Sequence, residues 1–190
     1  MGEIEIRRAS PADARAIAKV RVESWRVTYR GLIPDAYLDA MEVDASVALW
    51  DRVLNAESSA ATVFVAAREG EVIGFAAGNA LKEPKYGADS ELTAVYLRRD
   101  AQRAGLGHRM VGAVVAALRA HNATAMIVWT IAGNKGARAF YENLGATLRV
   151  EQDFEWDGMP LVEAGYGFSD LDALILACET YDGPPGPMLH

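Results

Sequence analysis

Glu91-Leu92-Thr93-Ala94-Val95-Tyr96-Leu97, Arg98-Arg99-Asp100-Ala101-Gln102-Arg103 and Ala104-Gly105-Leu106-Gly107-His108 form one continuous stretch, and its reading decides the fold. The first seven residues are strand-like. A basic turn follows. The last five open a helical pattern that runs to about His121, with Leu106, Met110, Val114, Ala117 and Leu118 on one face. A helix start leaves backbone N–H groups without intrahelical partners, and its dipole favours an anion. Gly105 and Gly107 carry no Cβ, so a ligand can come close to the backbone. Arginines 98, 99 and 103 add charge. Strand, basic glycine turn and helix together describe a phosphate-binding corner.

Downstream, Ala125 to Ile131 is a nearly continuous apolar run, the pattern of a strand covered on both faces. Asn134 starts a helix that Gly145 ends. Thr147 to Trp156 and Leu161 to Phe168 read as a hairpin about Asp157-Gly158. Upstream, Glu3 to Arg8 alternates as a first strand. Ser10-Pro11-Ala12-Asp13 is a helix start, and that helix ends at Gly31. Short helices follow from Pro34 to about Met41 and from Asp44. Thr62 to Arg68 and Val72 to Asn79 form a second hairpin across Glu69-Gly70-Glu71. Lys82 to Asp89, with Pro84 and Gly87, reads as a loop. Asp170 to Cys178 suits a short helix or strand, and Gly183 to Pro187 rules out regular structure at the end. The expected organisation is one domain over residues 1–169 and a C-terminal extension over 170–190.

The 51% apolar content supports a substantial core, and no apolar run reaches the length of a membrane span. The beginning of the chain lacks the basic and apolar regions of a signal peptide. One cysteine, Cys178, excludes an internal disulfide or a cysteine-rich zinc site, so no metal and a cytoplasmic location are expected. The net charge of −7 speaks against nucleic acid as a partner. The local basic cluster stands against that global sign.

Gln102-x-x-Gly105-x-Gly107 resembles the coenzyme A pyrophosphate signature of the GNAT (Gcn5-related N-acetyltransferase) superfamily. Thirty residues on, Asn134 followed by Phe140-Tyr141-Glu142-Asn143-Leu144-Gly145 resembles a second segment of the same family. The order of elements agrees from Glu3 to Phe168. The resemblance implies an α/β GNAT fold: a mixed, mostly antiparallel sheet, helices on both faces, and splayed fourth and fifth strands. It implies acetyl-coenzyme A as cofactor. Val95, Tyr96 and Leu97 would hold the pantetheine arm through their backbone. Gln102, Arg103, Ala104, Gly105, Leu106, Gly107 and His108 would hold the pyrophosphate. Asn134 and Arg138 would approach the cofactor from the next helix, though Asn134 also serves as a helix cap.

Tyr141 matches the family's general acid. Amine acetylation expels a thiolate, which needs a proton. A free tyrosine at about 10 lies above a thiol at about 8.5, an uphill transfer of about 2 kcal/mol that a well-placed hydrogen bond can offset. Glu91 matches in position an acid that serves as base in some members, and a solvated strand-end charge is its other reading. Ser24 to Leu38 resembles the first two helices of a bacterial group that includes polyamine acetyltransferases, which makes Trp25, Tyr29 and Tyr37 acceptor-wall residues or core aromatics. The implied function is direct acetyl transfer to a primary amine in a ternary complex. The amine could belong to a small molecule, a polyamine, an antibiotic or a protein N-terminus. A non-catalytic acyl-coenzyme A sensor and a nucleotide-phosphate binder are the rival classes. The late hairpin or the tail leaves room for a homodimer, and neither a membrane nor a nucleic acid is expected as partner.

Overall fold

A computed structural model describes residues 3–56, 61–102 and 105–181. Seven strands form one sheet in the order β1-β2-β3-β4-β5-β7-β6. They are β1 (Ile4–Arg8), β2 (Ala61–Arg68), β3 (Glu71–Lys85), β4 (Ala88–Leu97), β5 (Met126–Ile131), β6 (Thr147–Trp156) and β7 (Met159–Phe168). All neighbours are antiparallel except β4 and β5. The expected sheet and its chain order are observed.

Helices cover both faces. On one side lie α1 (Ala14–Thr28), α2 (Asp35–Ala40) and α3 (Val43–Asn55), and on the other α4 (Leu106–Ala120), α5 (Lys135–Asn143) and α6 (Leu171–Glu179). The α4 face is built from small and branched side chains. Met110, Val111, Val114 and Val115 are fully buried against Ile73, Ala76 and Leu92. Gly78 lets that helix sit close: a Cβ there would meet Val114 at 2.7 Å and the Glu91 carbonyl oxygen at 2.8 Å. On the other face Ile17, Val20, Trp50 and Phe75 make a smaller core.

Turn chemistry follows the sequence. Glu69-Gly70 and Asp157-Gly158 both have φ above zero at both positions, the hairpin geometry matched to strand twist. Before α1, Asp13 reaches back to the Ser10 amide at 2.7 Å and takes both arms of Arg7 at 2.8 and 2.9 Å. Gly145 leaves α5 at φ +93°, and Ala146 donates back to the Tyr141 carbonyl.

Two segments differ from the reading of the sequence. Lys82 to Asp89 is not a loop: β3 and β4 continue as a long hairpin to Lys85↔Ala88, turning at Tyr86-Gly87. Pro84 is tolerated because the ladder is irregular between Ala80 and Lys85, so no hydrogen bond is asked of it. Asp170 caps α6 through Ala173, which settles that segment as helix. Residues 182–190, where the tail was expected to lack regular structure, lie outside the described residues. Among the described residues no helix is long and apolar enough to cross a membrane.

Candidate active site

The site begins where β4 stops pairing with β5. Their parallel ladder holds only Ser90↔Met126, Glu91↔Ile127 and Leu92↔Val128. From Thr93 onward the strands part. The cause lies on the other side of β4, where Ala77 faces Ala94 and Gly78 faces Leu92, leaving Thr93 as an extra, bulged residue. A bulge bends its strand and increases local twist, which here carries β4 away from β5.

The gap runs through the sheet. Tyr29 borders it from the α1 face and Tyr141, Asn134 and Ala137 from the α5 face, with Val95 and Tyr96 along β4. Arg98 N–H donates to Ile73 O at 2.8 Å. Antiparallel alternation then pairs Tyr96 with Phe75 and turns the backbone groups of Val95 and Leu97 toward the gap. Apart from the Leu97 carbonyl, which accepts from Gln102, these are positions of the kind an extended amide chain would complete.

At Leu97, past the gap, a groove of about 480 Å³ lies between α1 and the basic turn, lined by Ser24, Thr28, Arg99 and Gln102 among others. The Gln102 side chain donates to Leu97 O at 3.0 Å, bracing the turn on the strand end. Arg98 is spent on Glu71 at 2.6 Å and Asp100 at 3.2 Å. Arg99 makes no ion pair among the described residues, so it is the groove's available cation there. Gly105 sits at φ +70° just before α4, a conformation that a side chain would strain. His108, one turn in, stacks on Tyr181 at 3.5 Å and meets Phe140 edge-on, and Leu106 and Gly107 are buried. Arg103 and Ala104 lie outside the described residues. A strand with outward-facing amides, a glycine corner and one open arginine fit a coenzyme A molecule.

Tyr141 is buried at the gap, its ring edge-on to Phe140 at 5.3 Å. Burial, then the neighbouring Tyr96, push its hydroxyl well above the usual phenol range, so it stays protonated. Asn134 caps α5 by accepting from Ala137 N at 3.0 Å while also bordering the gap. Arg138 is not placed at the gap: it bonds Tyr166 at 2.8 Å, the Ala132 carbonyl at 3.1 Å and Glu151 at 2.7 Å, tying α5 to β6 and β7.

A second cavity, about 320 Å³, meets the gap on the α1 side and shares Tyr29, Thr93, Tyr96 and Thr130 with it. The Tyr29 and Tyr96 hydroxyls lie 3.1 Å apart at the junction. Trp25 is in the wall, packed on Trp156 at 5.4 Å and on Tyr29 at 4.8 Å. Tyr37 is behind the wall, where its hydroxyl accepts from Trp156 Nε1 at 3.1 Å. The sequence reading missed the far wall: Trp129 on β5, Trp156 on β6 and Glu163 on β7. Trp129 reads as core in an apolar run, and only strand alternation from Met126 and Val128 could have turned it to the opposite face.

Glu91 is half-buried at the last pairs before the parting. Burial, then the Glu163 charge, raise its carboxyl above the ordinary range, and Lys85 opposes them. Among the described residues no cluster of His, Cys, Asp or Glu could hold a metal ion.

The arrangement can hold a thioester in a cleft through a sheet, with a protonated phenol on one side and a tryptophan-lined cavity on the other. The sequence pattern of the acetyltransferase (GNAT) family matches residues 22–146. The uncharacterized N-acetyltransferase YuaI of Bacillus subtilis (strain 168) is 36% identical over 172 residues, 90% of this chain and 96% of its own. Among solved structures, yncA from Salmonella typhimurium with its cofactor acetyl-CoA aligns with TM-score 0.64 at 20% identity, covering 88% of this chain and 94% of that one. The paia N-acetyltransferase from Thermoplasma acidophilum in complex with coenzyme A aligns with TM-score 0.63 at 17% identity, covering 85% and 98%. With the parted strands, the glycine corner and these matches together, the chain belongs to the GNAT family of acyltransferases, enzymes that use acetyl-coenzyme A.

Proposed function

We propose that the protein, with residues 1–169 as its catalytic domain, transfers the acetyl group of acetyl-coenzyme A to a primary amine, and that Tyr141 is the general acid. The observation that carries this reading is the end of β4–β5 pairing at Leu92↔Val128, which opens the gap where Tyr141 and the acceptor cavity meet. Backbone groups of Val95 and Leu97 would hold the pantetheine arm. Gln102, Arg99 and the turn up to His108 would hold the phosphates. When bound, acetyl-coenzyme A supplies a thioester carbonyl open to attack by a neutral amine.

Val95 N–H would polarise that carbonyl. Tyr141 keeps its proton at Oη until charge develops on sulfur, then donates it there. Burial makes the phenol a weaker acid than a free tyrosine. The same burial makes a nascent thiolate a stronger base, so the two shifts run in the same sense and the transfer stays feasible. Glu91 would accept the proton lost by the incoming ammonium, through water. Its raised carboxyl is a better base than an exposed glutamate, which supports the role.

The test is thiol release from acetyl-coenzyme A across a panel of primary amines, with cofactor binding measured separately. Amine-dependent release that falls in Tyr141→Phe with cofactor binding retained supports the reading. Tight cofactor binding without release for any amine would replace it with a sensor role.

A further inference from the structure

The acceptor cavity is polarised, and the polarity names a substrate class. Its volume, about 320 Å³, is at the small end for ligand pockets. All four tryptophans of the chain, Trp25, Trp50, Trp129 and Trp156, line it. Such walls favour a flat or branched apolar body. Only two charged side chains join them, Arg21 from α1 and Glu163 from β7.

The α1–α3 end is rich in donors. Arg21 lies 4.7 Å from the centroid of the Trp25 ring and makes no ion pair among the described residues. In the same wall Trp50 Nε1 is buried without an acceptor among the described residues, and Trp25 Nε1 faces only the Tyr96 hydroxyl. Stacking on Trp25 satisfies one face of the guanidinium and leaves its edge donors, the part that grips a carboxylate.

The β7 end carries the anion. The Glu163 carboxylate accepts from Gln152 at 2.8 Å, and Gln152 is held by Tyr86 at 2.7 Å. Glu91 adds charge of the same sign nearby. The two ends are not adjacent. Helix α1 packs over β3 and β4, and β7 lies two strands beyond β4, roughly 10 Å at ordinary strand spacing. The gap, where the amine must react, lies between them.

Resting on the acetyl-transfer reading above, we propose that the acceptor is a primary amine joined through an apolar or aromatic body to an anionic group, with Arg21 reading the anion and Glu163 drawing in the ammonium. A diamine would set its second cation against Arg21. The α-amino and α-carboxylate groups of an amino acid sit on one carbon, so that pair cannot span the two ends. A purely apolar amine would leave Arg21 unpaired.

Three probes with one ring and one aminomethyl group separate these cases: 4-(aminomethyl)benzoate, its carboxamide, and 1,4-bis(aminomethyl)benzene. Calorimetry on the coenzyme A-loaded protein reads binding without turnover. The acid should bind about tenfold or more tighter than the amide, the scale of a charge-assisted hydrogen bond, with the diamine weakest. Arg21→Met should bring acid and amide to one affinity, and Arg21→Lys should restore part of the preference. Equal affinities for acid and amide, tightest binding by the diamine, no detectable probe binding, or a preference that survives Arg21→Met would each overturn the proposal. Thiol release measured in parallel keeps the two readings apart. Acid preference without release leaves Arg21's role standing and removes the transferase reading, whereas release with diamine preference does the reverse.

Discussion

Tyr141→Phe removes one oxygen and nothing else from the gap. The ring is buried and packs on Phe140, and phenylalanine keeps that packing. The lost hydroxyl has no hydrogen-bond partner among the described residues, so its removal should be near neutral for stability. Cofactor affinity should also hold, because the groups proposed to bind it are backbone amides of β4 and the turn. What goes is a proton at the place where a thiolate forms. General acids contribute about 10²–10⁴ in rate, or about 3–5 kcal/mol of barrier. The expected result is therefore kcat down by that factor with KM for acetyl-coenzyme A nearly unchanged, measured by thiol release at saturating amine. Leaving-group dependence sharpens it. Acetyl donors built on more acidic thiols need less protonation, so the gap between wild type and variant should close along such a series. A variant with kcat within about threefold of wild type on acetyl-coenzyme A, or a constant deficit across all donors, would refute the assignment.

Three further outcomes follow from other parts of the molecule. Asp13 is held down to about 2 by the Arg7 hydrogen bonds and the Ser10 amide, against an ordinary 3.8. A depressed carboxyl stabilises the fold above its unfolded value, and that stabilisation disappears as pH falls through the folded value, so Asp13→Asn should cost about 2 kcal/mol at pH 7 and almost nothing near pH 2, read from urea midpoints. Glu91 has the opposite sign: its raised carboxyl favours folding at low pH, an advantage lost as pH rises through the folded value. Glu91→Gln should therefore raise the melting temperature at pH 7, and if Glu91 is the base it should also abolish the acid limb of kcat/KM; an unchanged limb removes it from the mechanism. Gly78→Ala should destabilise by about 1–3 kcal/mol in chemical denaturation, since its Cβ meets the Glu91 backbone and α4 at once.

The glycine turn into α4 at Gly105 and the helix Asn134 to Gly145 were legible because glycine, capping and apolar spacing act locally there. Tyr141 stood out for the same reason, as part of a short motif on one helix. The bulge at Thr93 was not legible. Nothing in Leu92-Thr93-Ala94 differs from a regular strand, and the extra residue shows only against the register of β3. The tryptophan-lined cavity proposed for the acceptor was half legible. Trp25 and Tyr29 lie on one helix, but Trp129, Trp156 and Glu163 reach the same space from three strands that only the sheet order brings side by side. Lys82 to Asp89 misled because Pro84 and Gly87 are loop signals, whereas a long ribbon can absorb both where its ladder lapses.

The short β4–β5 ladder has one more consequence. Among the described residues, three residue pairs and the Asp89 and Ser90 amides on the Ala125 carbonyl make the direct main-chain stitching between the leaf β1–β4 and the leaf β5–β7. Elsewhere along that seam the leaves are joined through side chains and through α4 and α5. An extended ligand laid along Val95 and Leu97 would act as a suture, lending the seam the amide contacts it lacks. Hydrogen exchange at Ser90, Leu92 and Val128 should then slow on coenzyme A binding, although none of these residues belongs to the phosphate corner.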